Sequence, residues 1–155
     1  MKFTGTFIGA KIDIAQYENK LKKHLRSQLR NIAKAWLEGA TGRVPIWSGM
    51  SQASLLKLAE LVNEPLVISP KGNVPSRIPE GRILGTAIEN LDLKDFNITI
   101  ITDVPHYNVQ EFKNVGVSKS APWHSLKSGQ AMAKPVLDRT TLLKPLIKPI
   151  QFKVK

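Results

Sequence analysis

Ser54 and Lys57 have the S-x-x-K spacing that places a lysine one helical turn from a serine nucleophile. In such a pair, a neighbouring base activates the serine hydroxyl for attack on a carbonyl carbon. The companion motifs S-D-N and K-T-G are both missing from the chain, and serine and lysine are common on helix surfaces. The pattern therefore favours two structural residues over a hydrolytic dyad.

The histidines are the other candidates for proton transfer or metal binding. His106 has Asp103 and Glu111 nearby in sequence, a grouping that could serve a metal-dependent nuclease, and His124 lies beyond the next loop. The spacing of these groups matches no recognised ligand pattern, and polar residues around the end of a strand explain them more simply. His24 lies among lysines, where a surface position is expected.

No cofactor site is predicted. The chain has no cysteine, which excludes disulfides and thiolate metal sites. It also lacks both G-x-x-x-x-G-K-[ST] and a G-x-G-x-x-G that follows a strand, the glycine-rich patterns that hold phosphates. We therefore expect no cofactor, no metal and no enzymatic activity.

The charge of the chain is strongly positive and uneven. The net charge is +11, from 23 basic and 12 acidic residues. After Glu111 there are nine bases and one acid, Asp138, so this last part carries nine minus one, or +8. Such asymmetry predicts an acidic partner, either nucleic acid or an acidic protein surface, against the simpler alternative of a solvated lysine-rich surface.

The clearest structural pattern is an amphipathic helix that starts near Ile14, after a plausible N-cap at Asp13. Its apolar positions recur every three or four residues, as one buried helix face requires; they are Tyr17, Leu21, Leu25, Leu29, Ile32, Trp36 and Leu37. Because Tyr17 and Trp36 lie in this stripe, we expect both in the core rather than as platforms for stacking bases. Gly39 and Gly42 are predicted to end the helix.

A second helix is predicted from about residue 50 to residue 63, and Pro65 ends it. The apolar run 66–68 indicates a strand, and the proline- and glycine-rich residues 70–82 indicate an exposed loop. Two more strands are predicted at residues 83–91 and 96–104. In the last of these, Ile101 breaks the alternation of apolar and polar residues, which indicates a bulge or burial on both faces.

The remaining segments are less regular. Residues 3–12 indicate a short strand or arm, and residues 113–121 indicate a loop. Pro122 is suited to the first turn of a third helix, which Pro135 would kink or end. Residues 143–155 contain two prolines and indicate an extended basic arm.

Together these elements predict an α+β protein. A small antiparallel β-sheet is expected to pack against the long N-terminal helix, the second helix and the C-terminal helix. The 155 residues, of which 42% are hydrophobic, suit one domain, which we place at residues 1–142, followed by the arm at 143–155. The N-terminus is too short and too polar for a signal peptide, and no window approaches a membrane span.

The segment that joins the two predicted helices is a constrained elbow. Its sequence, VPIWSG at residues 44–49, combines a proline that fixes φ with a Ser48-Gly49 pair that can cap and turn the chain. Trp47 stands just before the second helix. A large aromatic residue there is either part of the core or an anchor for a neighbouring molecule.

Three local motifs, in this order, resemble the tail-completion or neck proteins of long-tailed bacteriophages. The first is the elbow itself, VPIWSGMSQASL, after a long helix. The second is HYNVQEF at residues 106–112, in which a tyrosine precedes a glutamate at the end of the sheet. The third is APWHSL at residues 121–126, a proline and an aromatic residue that open the terminal helix. The resemblance covers roughly residues 14–140.

The resemblance implies a structural protein of the virion neck rather than an enzyme. Such proteins form a ring, hexameric or dodecameric, that joins the head connector to the tail tube around the DNA channel. The station within the neck stays open between tail completion, tail terminator and another ring. The residues expected at subunit interfaces are Trp47, Lys71, Arg77, Arg82, Tyr107, Glu111 and Trp123.

The alternative to the neck is a non-specific nucleic-acid-binding protein. In that case the basic C-terminal arm makes the contact, because several lysines there could pair with phosphates. The expected contact residues are Lys144, Lys148, Lys153 and Lys155. They would serve equally well against DNA in the channel or an acidic neighbouring protein.

Overall fold

The computed structural model describes residues 14–112, 122–140 and 149–154. The predicted arm at residues 3–12, the N-cap at Asp13 and the loop at residues 113–121 lie outside the described residues. So do Lys144, Lys148 and Lys155 of the C-terminal arm.

The described elements form an α+β fold, as predicted from the sequence. In chain order they are helix α1 (Ile14–Thr41), the short helices α2 (Met50–Ala53), α3 (Leu56–Leu61) and α4 (Ile78–Leu84), strands β1 (Gly85–Asn90) and β2 (Asn97–Thr102), helices α5 (Tyr107–Phe112) and α6 (Ser125–Arg139), and strand β3 (Ile150–Val154).

Helix α1 follows the predicted stripe over most of its length. Leu25, Leu29, Ile32 and Trp36 are buried on one face, which confirms Trp36 as a core residue. The prediction for Tyr17 was wrong, because its side chain is 66% exposed. The buried positions of α1 begin only at Leu25; before it, Leu21 is half-buried against the core and Ile14 is exposed like Tyr17.

Two glycines allow α1 and α6 to approach each other closely. A Cβ atom at Gly39 would lie 2.5 Å from the carbonyl oxygen of Ser128, and one at Gly129 would lie 2.8 Å from the indole nitrogen of Trp36. Gly39 therefore serves helix packing instead of ending α1, which continues to Thr41. Likewise, Pro135 lies inside α6 and does not end it.

The single second helix predicted at residues 50–63 was wrong in detail, because a turn at Ser54-Leu55 separates α2 from α3. The hydroxyl of Ser54 donates to the carbonyl oxygen of Ser51 over 2.8 Å, a local bond that competes with helix continuation. Gly85 packs against this turn, where an added Cβ would lie 1.9 Å from the Ser54 carbonyl oxygen. The interruption thus gives β1 room to pass.

Two predictions between the helices and the sheet also need correction. Residues 66–68 form no strand, and the loop predicted at residues 70–82 becomes helix α4 from Ile78 onward. Pro79 lies in the first turn of α4, where its missing N–H would have no intrahelical partner. Helix α4 also occupies the first residues of the strand predicted at 83–91.

The sheet is mixed, whereas the sequence predicted an antiparallel one. Its strand order is β1-β2-β3, with β1 antiparallel and β3 parallel to β2. Parallel neighbouring strands need a long crossover connection. Here helices α5 and α6 lie between β2 and β3 in the chain, so β3 comes from the C-terminal arm. The register from Gly85 opposite Thr102 to Asn90 opposite Asn97 is continuous, so Ile101 lies half-buried in a regular strand and not at a bulge.

One face of the sheet packs on the helices. Ile98 and Ile100 on β2 are fully buried with the α1 stripe and the apolar residues of α3. A second, smaller cluster contains Val44, Met50, Val104, Tyr107 and Trp123. Phe152 on β3 contacts both clusters, because its ring lies 5.6 Å from those of Trp36 and of Tyr107.

An ionic contact also ties α1 to β1. The Glu89 carboxylate accepts hydrogen bonds from Arg26 over 2.8 Å and from Arg30 over 2.9 Å. Burial alone would raise the pKa of the Glu89 carboxyl, but the bonds from Arg30 and Arg26 outweigh it, and the pKa lies below its usual value. Within the described part of the chain, no helix has both the length and the apolar character that a bilayer crossing requires.

Candidate functional site

The elbow before α2 turns sharply at Gly49. Gly49 has a φ of 80°, in the left-handed region that favours glycine, and it occupies the N-cap position of α2. Of the Ser48-Gly49 pair predicted to cap and turn the chain, Gly49 takes the cap position and the turn, and no side-chain hydrogen bond caps the helix. A Cβ at Gly49 would also lie within 2.9 Å of Ile68 and Ile78, so the elbow is pressed against the following segment.

Two backbone hydrogen bonds hold the elbow to that segment. The amide of Lys71 donates to the carbonyl oxygen of Trp47 over 3.0 Å, and the amide of Arg77 donates to that of Ser48 over 2.9 Å. We call residues 43–49 together with residues 71–77 the ridge. Because both loops are fixed by these bonds, the ridge presents its side chains from a constrained backbone.

Trp47 is exposed on the ridge. Its side chain is 65% accessible to solvent, whereas Trp36 and Trp123 are 2% and 3% accessible. The question that the sequence left open is thereby answered: Trp47 is not a core residue. An exposed tryptophan on a constrained loop is available as an anchor for another molecule.

The ridge is also basic. Arg43, Lys71 and Arg77 are all exposed on it, and no acidic residue occurs in residues 39–59 or 65–79. Arg77 pairs with Glu80 at the start of α4, and this hydrogen bond lowers the pKa of the Glu80 carboxyl. Three of the predicted interface residues, Trp47, Lys71 and Arg77, therefore lie together.

Below the ridge, the elbow contacts the segment after β2. The Ser51 hydroxyl and Nε2 of His106 are hydrogen-bonded over 3.0 Å. The imidazole of His106 meets the ring of Trp123 edge-on, with centroids 6.4 Å apart. Partial burial lowers the pKa of His106, and the nearby charge of Arg77 lowers it further.

A buried polar cluster joins α5 to the start of α6. The carboxylate of Glu111 accepts from the amide of Ser125 over 2.9 Å, from its hydroxyl over 2.6 Å and from the amide of Leu126 over 2.9 Å. It thus satisfies two of the amides that a helix N-terminus leaves without intrahelical partners. The Tyr107 hydroxyl lies 3.1 Å from that of Ser125, and burial raises the pKa of Tyr107.

Three predicted interface residues belong to this interior. Tyr107 is 0%, Glu111 2% and Trp123 3% exposed, and the rings of Tyr107 and Trp123 meet edge-on with centroids 5.4 Å apart. Their assignment to a subunit interface was wrong, because their side chains are already occupied inside the subunit.

Of the other predicted contact residues, the structure describes Arg82 and Lys153. Arg82 pairs with Glu60, which joins α4 to α3. Lys153 is exposed on β3, opposite Ile101 of β2 in the sheet. The end of the basic arm is therefore part of the sheet, and the prediction of a separate arm at residues 143–155 was wrong for residues 150–154.

The residues considered for catalysis have structural contacts. Ser54 is buried and bonds to the backbone, as described above, while Lys57 pairs with Glu60. His24 is exposed and bonds to Gln28, and His124 is exposed at a φ of 53° just before α6. Among the described residues, no group of three or more histidine or acidic side chains is placed to hold a metal ion.

Comparison with known proteins found no match. No family model, no curated protein and no solved structure matches the chain.

Sequence reasoning missed the ridge as a combined site. Trp47 and Lys71 are 24 residues apart in the chain, and their proximity depends on the backbone bond between two loops. The contact between Ser51 and His106 spans 55 residues and was missed for the same reason. The sequence did contain one signal for the ridge: both of its loops have basic residues and no acidic residue, which gives a local excess of positive charge.

Proposed function

We propose that this chain is a structural protein of the neck of a long-tailed bacteriophage. In this role it forms a ring with copies of itself, between the head connector and the tail tube, around the channel through which DNA leaves. Tail completion, tail termination and another neck ring remain the three stations consistent with its motifs. The protein acts by contact and not by catalysis.

The observation that carries this proposal is the convergence of the three motifs. The elbow contacts the second motif through Ser51 and His106. The second motif contacts the third through the hydrogen bond between Glu111 and Ser125, and through the edge-on contact between the rings of Tyr107 and Trp123. Motifs that are far apart in the chain but packed as one unit support a shared architecture, which is what the resemblance implies.

The use of the polar side chains also supports a structural role. Glu111, the acidic residue of the second motif, bonds to the start of α6 and is 2% exposed. The His106 ring bonds to Ser51 and packs on Trp123. Of the residues predicted at subunit interfaces, Trp47, Lys71, Arg77 and Arg82 are exposed and can contact other components.

Particles that lack this protein provide the test. The gene would be deleted from a phage that carries it, and the particles would be examined by electron microscopy with and without complementation by the intact gene. We expect filled heads and separate tails that complementation joins again. Intact tails on filled heads in the deletion would contradict the neck role.

A second candidate function is non-specific binding of nucleic acid through the C-terminal lysines. The exposed position of Lys153 on β3 and the net charge of +11 support it. Deletion of residues 143–155 is an unsuitable test, because it would remove β3 from the sheet. Replacing Lys144, Lys148, Lys153 and Lys155 by glutamine retains the strand and removes four positive charges.

Duplex binding would be measured for both proteins at several salt concentrations. If the arm makes the contact, we expect affinity to fall steeply with salt in the parent protein and the salt slope to decrease by up to about 0.9 for each lysine that contacts a phosphate. Undetectable duplex binding at low salt, or an unchanged slope in the quadruple variant, would contradict it.

A further inference from the structure

We propose that the ridge is a binding site for single-stranded nucleic acid, with Trp47 stacking on a base and the ridge cations contacting phosphates. This inference goes beyond the neck role and does not depend on it. It also differs from binding by the C-terminal lysines, which relies on charge alone and involves no stacking on a base.

Trp47 has the properties of a stacking platform. Stacking requires an aromatic ring with a free face, and Trp47 is 65% exposed. The carbonyl groups of Trp47 and Ser48 are both held by amides of the facing loop, and Gly49 is confined between Ile68 and Ile78. A platform that is already ordered loses little conformational entropy when a base binds.

The charges around Trp47 suit a phosphate backbone. Arg43 lies four residues before it, while Lys71 and Arg77 lie on the loop bonded to its own. Residues 39–59 and 65–79 contain no carboxylate, and Glu80 opposes this charge through its ion pair with Arg77. Cations beside one exposed aromatic ring are the combination by which proteins bind single strands without sequence preference.

The surroundings of Trp47 favour a nucleic acid over a protein partner. A tryptophan that anchors a protein interface usually lies in a well-packed, desolvated centre. The facing loop instead exposes Gly72, Asn73 and Ser76 in addition to its cations. These small and polar residues remain hydrated more readily than they pack, which suits the polar and wet surface of a nucleic acid complex.

A single strand is favoured over a duplex because Trp47 can reach a base face only where bases are unstacked. In a duplex the base faces are covered by neighbouring bases, and only the edges and the phosphates are accessible. The ridge contact therefore predicts a preference for single strands, whereas simple attraction between charges predicts none.

Tryptophan fluorescence gives a direct test. Trp36 and Trp123 are buried, so quenching of the protein's fluorescence by oligo(dT) reports on Trp47. We expect quenching that saturates as the oligonucleotide is added and weakens with salt. A matched duplex should bind more weakly and quench less.

Substitutions identify the residues that bind. Binding of fluorescein-labelled oligo(dT) would be followed by anisotropy, with circular dichroism as a check of folding. Trp47→Ala should weaken binding about tenfold to hundredfold, the range seen when one stacked base loses its aromatic partner. Lys71→Gln should decrease the salt slope by about 0.7, the effect of one phosphate contact in a single strand. The control is Lys134→Gln, which removes an exposed cation of α6 that is paired with Asp138 and should leave both quantities nearly unchanged.

Several outcomes would overturn the proposal. One is a folded Trp47→Ala variant that binds oligo(dT) as tightly as the parent protein. Another is equal affinity for duplex and single strand, which would reduce the contact to charge alone. A third is a fluorescence titration at low salt that shows no quenching, which would favour a protein contact at the ridge, such as a subunit interface. None of these results would bear on whether particles need the protein for joining heads to tails.

Discussion

Glu111 is a buried acidic side chain surrounded by donors. Its carboxylate accepts three hydrogen bonds from Ser125 and Leu126, and Tyr107 extends the network through the Ser125 hydroxyl. Such a network stabilises the protein only while all its members are paired, because a buried polar group without a partner costs more than a single bond contributes.

Replacement of Glu111 by glutamine should therefore be strongly destabilising. One end of the new amide is a donor and would face the amides or hydroxyl that now donate to Glu111. We expect the free energy of unfolding to fall by about 2–3 kcal/mol, measured by urea denaturation. Glu80→Gln removes an exposed pair with Arg77 and should leave the free energy of unfolding nearly unchanged, because solvent screens such a pair. Equal effects of the two substitutions would contradict the structural role of Glu111.

His106 makes stability depend on pH. Its folded-state pKa is lowered from 6.5 by burial and by Arg77, so the folded protein favours the neutral ring. Between the unfolded and folded pKa values the unfolded chain binds more protons, and stability therefore decreases as the pH falls below about 6.5. Above that pH this contribution is fully present.

The measurement is the free energy of unfolding from pH 7.5 down to pH 5.5. His106→Gln should flatten the dependence in this range, while His24→Gln should preserve it, because His24 is exposed on α1. The lowered pKa of Glu89 acts at more acidic pH, since its contribution is lost only as the pH falls from about 4.5 through the folded pKa. A slope that survives in His106→Gln would show that another group titrates.

At the scale of elements, the crossing of α1 and α6 depends on two small residues. Gly39 and Gly129 each lie where a Cβ atom would overlap the facing helix. Close approach of the backbones allows Trp36 to cover Gly129 and lets the α1 stripe reach the inner face of the sheet. The glycines lower intrinsic helix stability, and tight packing between the helices offsets this cost.

Gly129→Ala tests this packing. The added methyl group would meet the Trp36 ring and backbone at 2.8–2.9 Å, so we expect a loss of about 1–3 kcal/mol in the free energy of unfolding. Gly42→Ala is the matched control, because a Cβ atom at Gly42 would lie 3.4 Å from its nearest neighbour, the carbonyl oxygen of Glu38. Thermal unfolding monitored by circular dichroism would compare the two, and a Gly129→Ala protein as stable as Gly42→Ala would disprove the close contact.

At the scale of the whole molecule, β3 connects parts that the sequence separates. Phe152 packs on Trp36 of the larger cluster and on Tyr107 of the smaller one. The parallel pairing of β3 with β2 places a strand from the chain's end beside the buried centre of the sheet. The C-terminal segment therefore contributes to the core in addition to its positive charge.

Phe152→Ala should lower the free energy of unfolding by about 2–3 kcal/mol, less than for a fully buried aromatic residue because its side chain is half-buried. Lys153→Ala, one position along the same strand and exposed, should change it by less than about 1 kcal/mol. Urea denaturation of both variants gives the comparison. A nearly unchanged free energy of unfolding in Phe152→Ala would contradict this role of the C-terminal segment in the core.

Local periodicity was sufficient to predict helix α1 and strands near β1 and β2, and these elements together indicate the α+β class. Trp36 was placed correctly in the core for the same reason. The mixed sheet could not be predicted, because two prolines and several lysines in residues 143–155 favour an exposed arm. The ridge could not be predicted either, since neither loop has a regular repeat that would indicate its neighbour.

The sequence by itself determined where apolar faces occur, where the chain must turn and how positive the molecule is. Those properties depend on residue type and on spacing within one element. Only the tertiary structure decided which side chains are covered: Tyr17 and Trp47 are exposed, while Tyr107, Glu111 and Trp123 are buried. Burial depends on which distant segment packs against a residue, and residues far apart in the chain meet only when the whole core assembles.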